Sequence, residues 1–419
     1  MRRGLLAAVL VAMVGAVVAA ALPARADQSQ PAVVSANPVD NTPNVLNGTV
    51  YALALVGTTV VVGGNFDQVA NAQSVVGRTR HDIFGYDLAT GQVTDFKPQV
   101  DGVVTALAAG PGSTVYLGGR FTSVDGVPQH GLAQLDVGTG QRVPAFKASV
   151  DGGDVRTLGY AQGWLYAGGS FTGVNRRARA ALARLNPVTG ALDPGLDLGI
   201  AAPHSGVTKV DDLSVSPDGS RLVAIGAIES AGGAARTQLL MASIGSGGVS
   251  LSGWYTDAYT GSCDTGYDTY LRGVDFSPAG DYFVVVATGK LTGAGKMCDS
   301  AARFEAAGTG PHGPTWVNYT GGNSLFAVDV TGPAVYVGGH EQWLDNPLGD
   351  KSAGPGAVYR PGIGAIDPVS GKALAWNPTR TRGVGVRAFL SCPAGLVVGS
   401  DTEQLGHEYH ARLGMFPPS

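Results

Sequence analysis

Charge, cysteine and the common catalytic signatures are all scarce in this chain, and each scarcity narrows what the protein can be. Charged residues make up 14% of the sequence, too few for long amphipathic helices with solvated faces. Cysteine occurs three times, as Cys263, Cys298 and Cys392. None follows the N-terminal apolar run, so no lipid attachment is expected there. A second long apolar run is missing, and so are a nucleophile elbow, an HExxH pair and a Walker loop.

Basic surplus is missing as well. Arg2 and Arg3 precede an apolar run from Leu5 to Leu22, and Ala24-Arg25-Ala26 supplies small residues before Asp27. That order predicts a signal peptide over 1–26 and an exported mature protein over 27–419, with no membrane contact after cleavage. Of 28 Lys and Arg, three leave with the leader, so 25 face 32 acidic residues, a net of −7. A polyanion such as nucleic acid is therefore excluded as the expected partner.

Glycine is abundant, at 64 residues, and much of it recurs in place. TVVVGGNF (59–66), TVYLGGRF (114–121), WLYAGGSF (164–171) and AVYVGGH (334–340) are one motif. Aligned on it, the chain divides into units of four alternating segments. In the second unit these are VVTALAAG, TVYLGGRF, GLAQLDVGTG and QRVPAFKAS. The first segments start near Val50, Val104, Val155, Val210, Arg272, Leu325 and Val386, 51 to 62 residues apart. A fixed period of four short strands predicts an all-β fold, a seven-bladed β-propeller of four-stranded antiparallel blades in one domain. The seventh unit stops one strand short, and residues 32–37 are expected to complete it and close the ring. The glycine pair reads as a place of close backbone approach or a bulge, with Phe66, Phe121 and Phe171 packing between blades. DLATGQ, DVGTGQ, NPVTGA and DPVSGK read as hairpin turns between third and fourth strands, and SPDGSRL and SPAGDYF as turns between first and second.

The pattern VYLGGRFTSVDGVPQHGLAQLDVGTGQ resembles the bacterial delta-sixty repeat β-propellers. These are secreted proteins common in actinobacteria, often joined to polysaccharide-binding or cell-surface modules. The resemblance is good in units one to three, recognisable in six, and spans about residues 33 to 416. Units four and five depart from it, lacking the glycine pair and Phe. SGKALAW (370–376) is also similar to repeats of quinone-dependent dehydrogenases, which reads as shared blade architecture.

Second-to-third loops and blade-to-blade connections emerge on one face, and that face holds the long segments 255–270, 289–300, 340–361 and 400–409. It places Cys263 near Cys298, which predicts a disulfide. Cys392 falls on the far side as a buried thiol. The same face gathers Tyr259, Asp264, Tyr267 and Asp268, then His340, Glu341, Trp343 and Asp345, then Arg360, Arg380 and Arg382, then Asp401, Glu403, His407 and His410. Arginine with aromatic rings suits sugars and anionic groups. The candidate ligand-binding set is His340, Glu341, Trp343, Arg360, Arg380, Arg382, Asp401, His407 and His410. No cofactor is expected, and no metal, since His407-x-x-His410 is no recognised ligand signature.

Two function classes follow. The first is a monomeric secreted module that binds or scaffolds an extracellular glycan, cell-wall polymer or protein through the long-loop face of units five to seven. The second is a glycan lyase or hydrolase, with His340, His407 or His410, Arg360 and an acid such as Glu341 or Asp401 converging in one pocket. A quinone or metal oxidoreductase would need ligands around the central channel that the sequence does not identify. Convergence or scatter of the candidate residues separates the first two.

Overall fold

A computed structural model describes residues 29–74, 76–261, 263, 266–289 and 296–419. The leader over 1–26, Asp264 and part of the 289–300 loop lie outside them. The described residues form strands and no helix.

The alternating runs make antiparallel sheets in chain order. Their first strands are Val50–Val56, Val103–Ala109, Val155–Ala161, Lys209–Val215, Leu271–Phe276, Leu325–Val330 and Ala388–Cys392. Each pairs with the second strand, and that with the third, as in Thr114–Arg120 between Val103–Ala109 and Leu132–Asp136. First strands of successive sheets pack on one another, and Ala388–Cys392 packs back on Val50–Val56. Core side chains follow the same rule. One apolar cluster joins Phe96 and Val100 to Val104 and Phe121 of the next sheet. Another joins Leu390, Val397 and Met415 of the last sheet to Val50, Phe66 and Phe84 of the first.

Four strands per sheet are expected, but among the described residues only the fourth and fifth sheets have them, ending in Gly248–Leu251 and Trp316–Tyr319. Elsewhere the fourth segment is reduced to single bridges, Tyr86–Val93, Leu135–Arg142, Leu185–Leu192 and Ile366–Ala373. Proline explains the difference. Pro98, Pro144, Pro194 and Pro378 follow those bridges within a few residues, and proline has no N–H to continue a ladder. The two regular fourth strands contain none.

Residues 32–37 likewise form no regular strand. They do run beside the last one: Ser35 N donates to Pro417 O at 2.9 Å and Val39 N to Met415 O at 2.9 Å. Val34 is buried with Tyr336, Trp376 and Phe416, and Trp376 Nε1 donates to Ser35 O at 3.0 Å.

The glycine pair does two separate things. A methyl group on the first glycine would meet the valine that opens the next sheet: Gly63 at 2.6 Å from Val104, Gly118 at 2.5 Å from Val155, Gly168 at 2.6 Å from Val210, Gly399 at 2.5 Å from Val50. A methyl on the second, at Gly64, Gly119, Gly169 or Gly339, would strike backbone carbonyls where its own sheet's first strand begins. At that point the first strand bulges. Register slips by one residue after Val50, Val104, Val155, Val210, Leu271 and Leu325.

The disulfide Cys263–Cys298 is present, with Cα atoms 5.7 Å apart. It closes on Gly289, which stands two residues after Ala287 as Phe121 stands two after Gly119. The sulfur bridge thus fills the space that Phe66, Phe121 and Phe171 fill in the first three sheets. Cys392 is free and buried, and burial raises its thiol pKa.

Gly118→Ala is expected to cost about 1–3 kcal/mol, the usual range for overpacking a tight core. In a Val155→Ala background the same substitution should cost less, because the added methyl enters vacated space. Urea midpoints of the four proteins measure this, and an undiminished cost would mean that the glycine is needed for something other than seating Val155.

Candidate functional site

The residues singled out on the long loops separate into groups. His340, Arg380, Arg382 and Asp401 are one. Arg382 Nε donates to His340 O at 2.9 Å. Arg380 is buried and donates to Gly339 O at 2.6 Å, Thr402 Oγ1 at 2.7 Å and Gly362 O at 3.3 Å. Asp401 lies 3.5 Å from Arg380 and accepts from Val384 N at 2.5 Å and Gly385 N at 3.0 Å. These contacts order the connection into the seventh sheet. His340 alone of the group touches an aromatic ring, Phe326, at 5.6 Å. Burial, with Arg382, Arg387 and Arg380 nearby, pushes its pKa down despite its contact with Val384 O.

The others lie elsewhere. Trp343 sits in a short hairpin, Trp343–Leu344 with Val358–Tyr359. Arg360 donates to Tyr359 O and Leu374 O, and Arg80 and Arg236 do the same in their sheets, to Thr94 O at 3.2 Å and Ser252 O at 3.1 Å. It is a repeated clamp onto the fourth segment. His410 holds that same repeat position, buried, 3.2 Å from Thr42 Oγ1 and 3.6 Å from Glu408. His407 turns a hairpin at φ 67° and touches Thr379 Oγ1 at 3.1 Å. Asp345 is occupied by Asn318 Nδ2 at 2.7 Å and Ala373 N at 3.1 Å, and Tyr259 is buried. His410 lines a cavity with Asp40, Thr42, Asn44, Gln73, Glu408 and Tyr409, apart from His340 and Arg360. Among the described residues no three His, Cys, Asp or Glu side chains gather as a metal-binding group.

Glu341 stands where the first three sheets have Phe66, Phe121 and Phe171, and it is fully buried. Burial pushes its carboxyl up to about 8, partly offset by its own backbone N–H and by Arg380 and Arg382.

A different set does converge. The bulge in each first strand turns one side chain toward the middle of the molecule: Tyr51, Thr105, Arg156, Asp211, Arg272 and Phe326, with Arg387 at the corresponding place in the seventh sheet. All seven line one cavity of about 590 Å³ at the starts of the first strands, joined by Arg120, Asp154, Lys209 and Asp212. Each follows a fully buried Val or Leu. Three residues below the buried position, Leu53, Leu107, Leu158 and Leu213 make an apolar waist shared with a second, smaller cavity.

Most of the charge at this mouth is paired. Arg156 bridges Asp211 at 2.7 Å and Asp154 at 3.3 Å, and Arg120 reaches Asp154 at 3.1 Å. Lys209 binds Asp268 at 2.8 Å. Burial would raise Asp154, but the Ser170 hydroxyl, Arg156 and Arg120 outweigh it and hold the carboxyl below its ordinary value. Asp212 is raised to about 6 by burial, against bonds from Val274 N and Thr157. Arg272 lies over the Tyr267 ring at 5.6 Å, and Arg387 over Phe326 at 4.0 Å. Tyr267 and Asp268 thus belong to the mouth. The seven residues are of five types, with Arg at three places, so a search for repeated motifs passes over them; the signal is their position, one after each buried first-strand residue.

Because the folded-state value of Glu341 lies above its ordinary 4.5, its contribution to stability is full below about pH 4.5 and is lost as pH rises through about 8. Thermal melts should therefore fall between pH 5 and pH 8.5, and Glu341→Gln should flatten that fall. Asp299, raised to about 7 by burial, and Asp82 and Asp212, raised to about 6, leave a residual slope in the variant. An unchanged slope would place the pH dependence elsewhere.

Comparison with known proteins adds a fold-level likeness. The family described as "Domain of unknown function (DUF5122) beta-propeller" matches residues 163–196, the second and third strands and fourth segment of the third sheet. No curated protein matches the sequence. Among solved structures, the computationally designed Ika8 protein is similar at 13% identity and a TM-score of 0.46, covering 92% of this chain and 99% of its own. The family match therefore supports an all-β chain with a stretch of β-propeller repeat.

Proposed function

We propose that the seven sheets are blades of one seven-bladed β-propeller over residues 27–419. It is exported on removal of 1–26 and works as a monomeric binding or scaffold module for an extracellular glycan, cell-wall polymer or protein. The ligand enters at the mouth formed by the bulge residues. One observation carries this reading: every first strand contributes a side chain to a single cavity, and the buried neighbour of each side chain, not that side chain, carries the packing. Such a cavity is within the usual size of small-molecule sites, about 300–1,000 Å³. A disulfide among the long loops suits an oxidising compartment, and no described helix is long and apolar enough to cross a membrane. Cations and carboxylates are nearly balanced around the mouth, which fits a glycan or protein better than a nucleic acid.

A binding screen of residues 27–419 on bacterial, plant and fungal polysaccharides, with chromatography of every positive, tests the reading. Binding without shortened or unsaturated products is expected. Tyr51→Ala should weaken it tenfold or more, a loss of about 1.4 kcal/mol, while Trp343→Ala leaves it unchanged. The opposite pattern would move the site to the outer loops, and product formation would make the protein an enzyme.

A further inference from the structure

Among the described residues, one cation of the mouth has no carboxylate in ion-pair contact. Arg120, Arg156 and Lys209 are each within 3.1 Å of a carboxylate. Arg272 is 4.0 Å from Asp211. Arg387 makes no ion pair among the described residues, and its buried Nε has no hydrogen-bond partner. Burial lowers its pKa, with Tyr51 and Asp401 acting in the other direction and Arg272 reinforcing it. A guanidinium held in a cavity against an aromatic face, with unused donors, is a site awaiting an acceptor.

Its surroundings specify the acceptor. Phe326 lies beneath the guanidinium, and Tyr51 and Phe389 line the cavity beside it. These three rings are only partly buried. Partly exposed rings around a cation suit a ligand with an apolar C–H face and an attached anion. The apolar waist of Leu53, Leu107, Leu158 and Leu213 closes the cavity from below, so a ligand enters end-on. Charge sets the valence. Arg120, Arg156, Lys209, Arg272 and Arg387 face Asp154, Asp211, Asp212 and Asp268, five cations against four carboxylates. The surplus is one, which fits a singly charged carboxylate better than a doubly charged phosphate ester.

Resting on the binding-module reading, we infer that the mouth takes the terminal, carboxylate-bearing sugar of an acidic glycan. The carboxylate pairs with Arg387, and the sugar ring lies against Tyr51 above the leucine waist. Arg272 supplies a second, weaker positive charge, and the paired carboxylates across the mouth repel any anion placed on that side. Binding is therefore polarised toward the sector between the sixth, seventh and first sheets.

Titration calorimetry of residues 27–419 with tri-galacturonate, its methyl ester, galactotriose and inorganic phosphate tests this. The acidic trisaccharide should bind, with the ester and the neutral trisaccharide at least tenfold weaker and phosphate weaker still. Arg387→Gln should bring the acid down to the level of the ester, with the wild-type melting temperature as its folding check. The ester comparison uses only wild-type protein, so it stands even if that variant misfolds. Equal binding of the ester or galactotriose would overturn the acidic-sugar inference and leave the glycan reading intact. Phosphate binding as tightly as the acid would overturn it by showing a site that reads charge alone. No binding of any saccharide here, with none in the polysaccharide screen, would remove the glycan reading itself.

Discussion

Each sheet opens on a buried valine or leucine, and in most of the molecule that side chain occupies space left by a glycine in the sheet before it. Gly63 receives Val104, Gly118 receives Val155, Gly168 receives Val210, and Gly399 receives Val50. The first strands can approach the centre this closely only because no Cβ stands between them. The second glycine of each pair frees the backbone where the first strand bulges, and the bulge turns the next side chain inward. Where it is present, the dipeptide thus sets how neighbouring sheets pack and frees the backbone beside the bulge, while the fourth and fifth sheets bulge at the same place opposite Ile225-Gly226 and Val286-Ala287.

Where the Phe that follows the glycine pair is absent, the structure shows what replaces it. The fourth sheet puts Ile228 where Phe would lie, the fifth puts a disulfide against Gly289, and the sixth puts Glu341 there. Burying a Phe is worth about 1.5–3 kcal/mol, whereas a buried carboxyl is tolerated only when neutral or well partnered. Thr402 holds the corresponding place in the seventh sheet and accepts from Arg380 at 2.7 Å, so polar groups also enter the core where the last two sheets meet. Polar stitching extends along the first strands on this side. Asp212 accepts from Val274 N at 3.0 Å, Asp275 from Val330 N at 2.7 Å, and Asp329 from Ser391 N at 3.1 Å. Each carboxylate fixes the height of the next sheet against its own. The first three sheets have Ala54, Ala108 and Gly159 at the position of Asp275 and rely on apolar fit.

That division explains what could be read in advance. The repeat, its period, the turn signals and the pairing of Cys263 with Cys298 are local or spacing features, and sequence carries them directly. The loss of regular fourth strands was also written there, in Pro98, Pro144, Pro194 and Pro378, but a repeat alignment gives the period more weight than a missing N–H. The mouth was not legible, because its members are Tyr, Thr, Arg, Asp, Arg, Phe and Arg at one repeat position. Long loops drew attention to Arg360, Arg380 and His410, whose polar atoms turn out to meet mainly backbone carbonyls, a hydroxyl or a single carboxylate. A polar residue on a long loop has backbone to satisfy before it has a ligand to bind.

Separating packing from recognition has a consequence for how such a cavity can change. The buried first-strand residue cannot vary in size without disturbing its glycine seat, and the glycine cannot gain a methyl. The residue between them in function, one step along the strand, touches the cavity and its ring of neighbours but little of the core. Its side chain can therefore be aromatic in one sheet, cationic in the next and acidic in a third with the same backbone. Substitution there alters the charge and shape of the mouth at small cost to the fold. The preference of the cavity for one ligand over another is therefore set by seven side chains and their nearest partners, on a frame that leaves them unchanged in position.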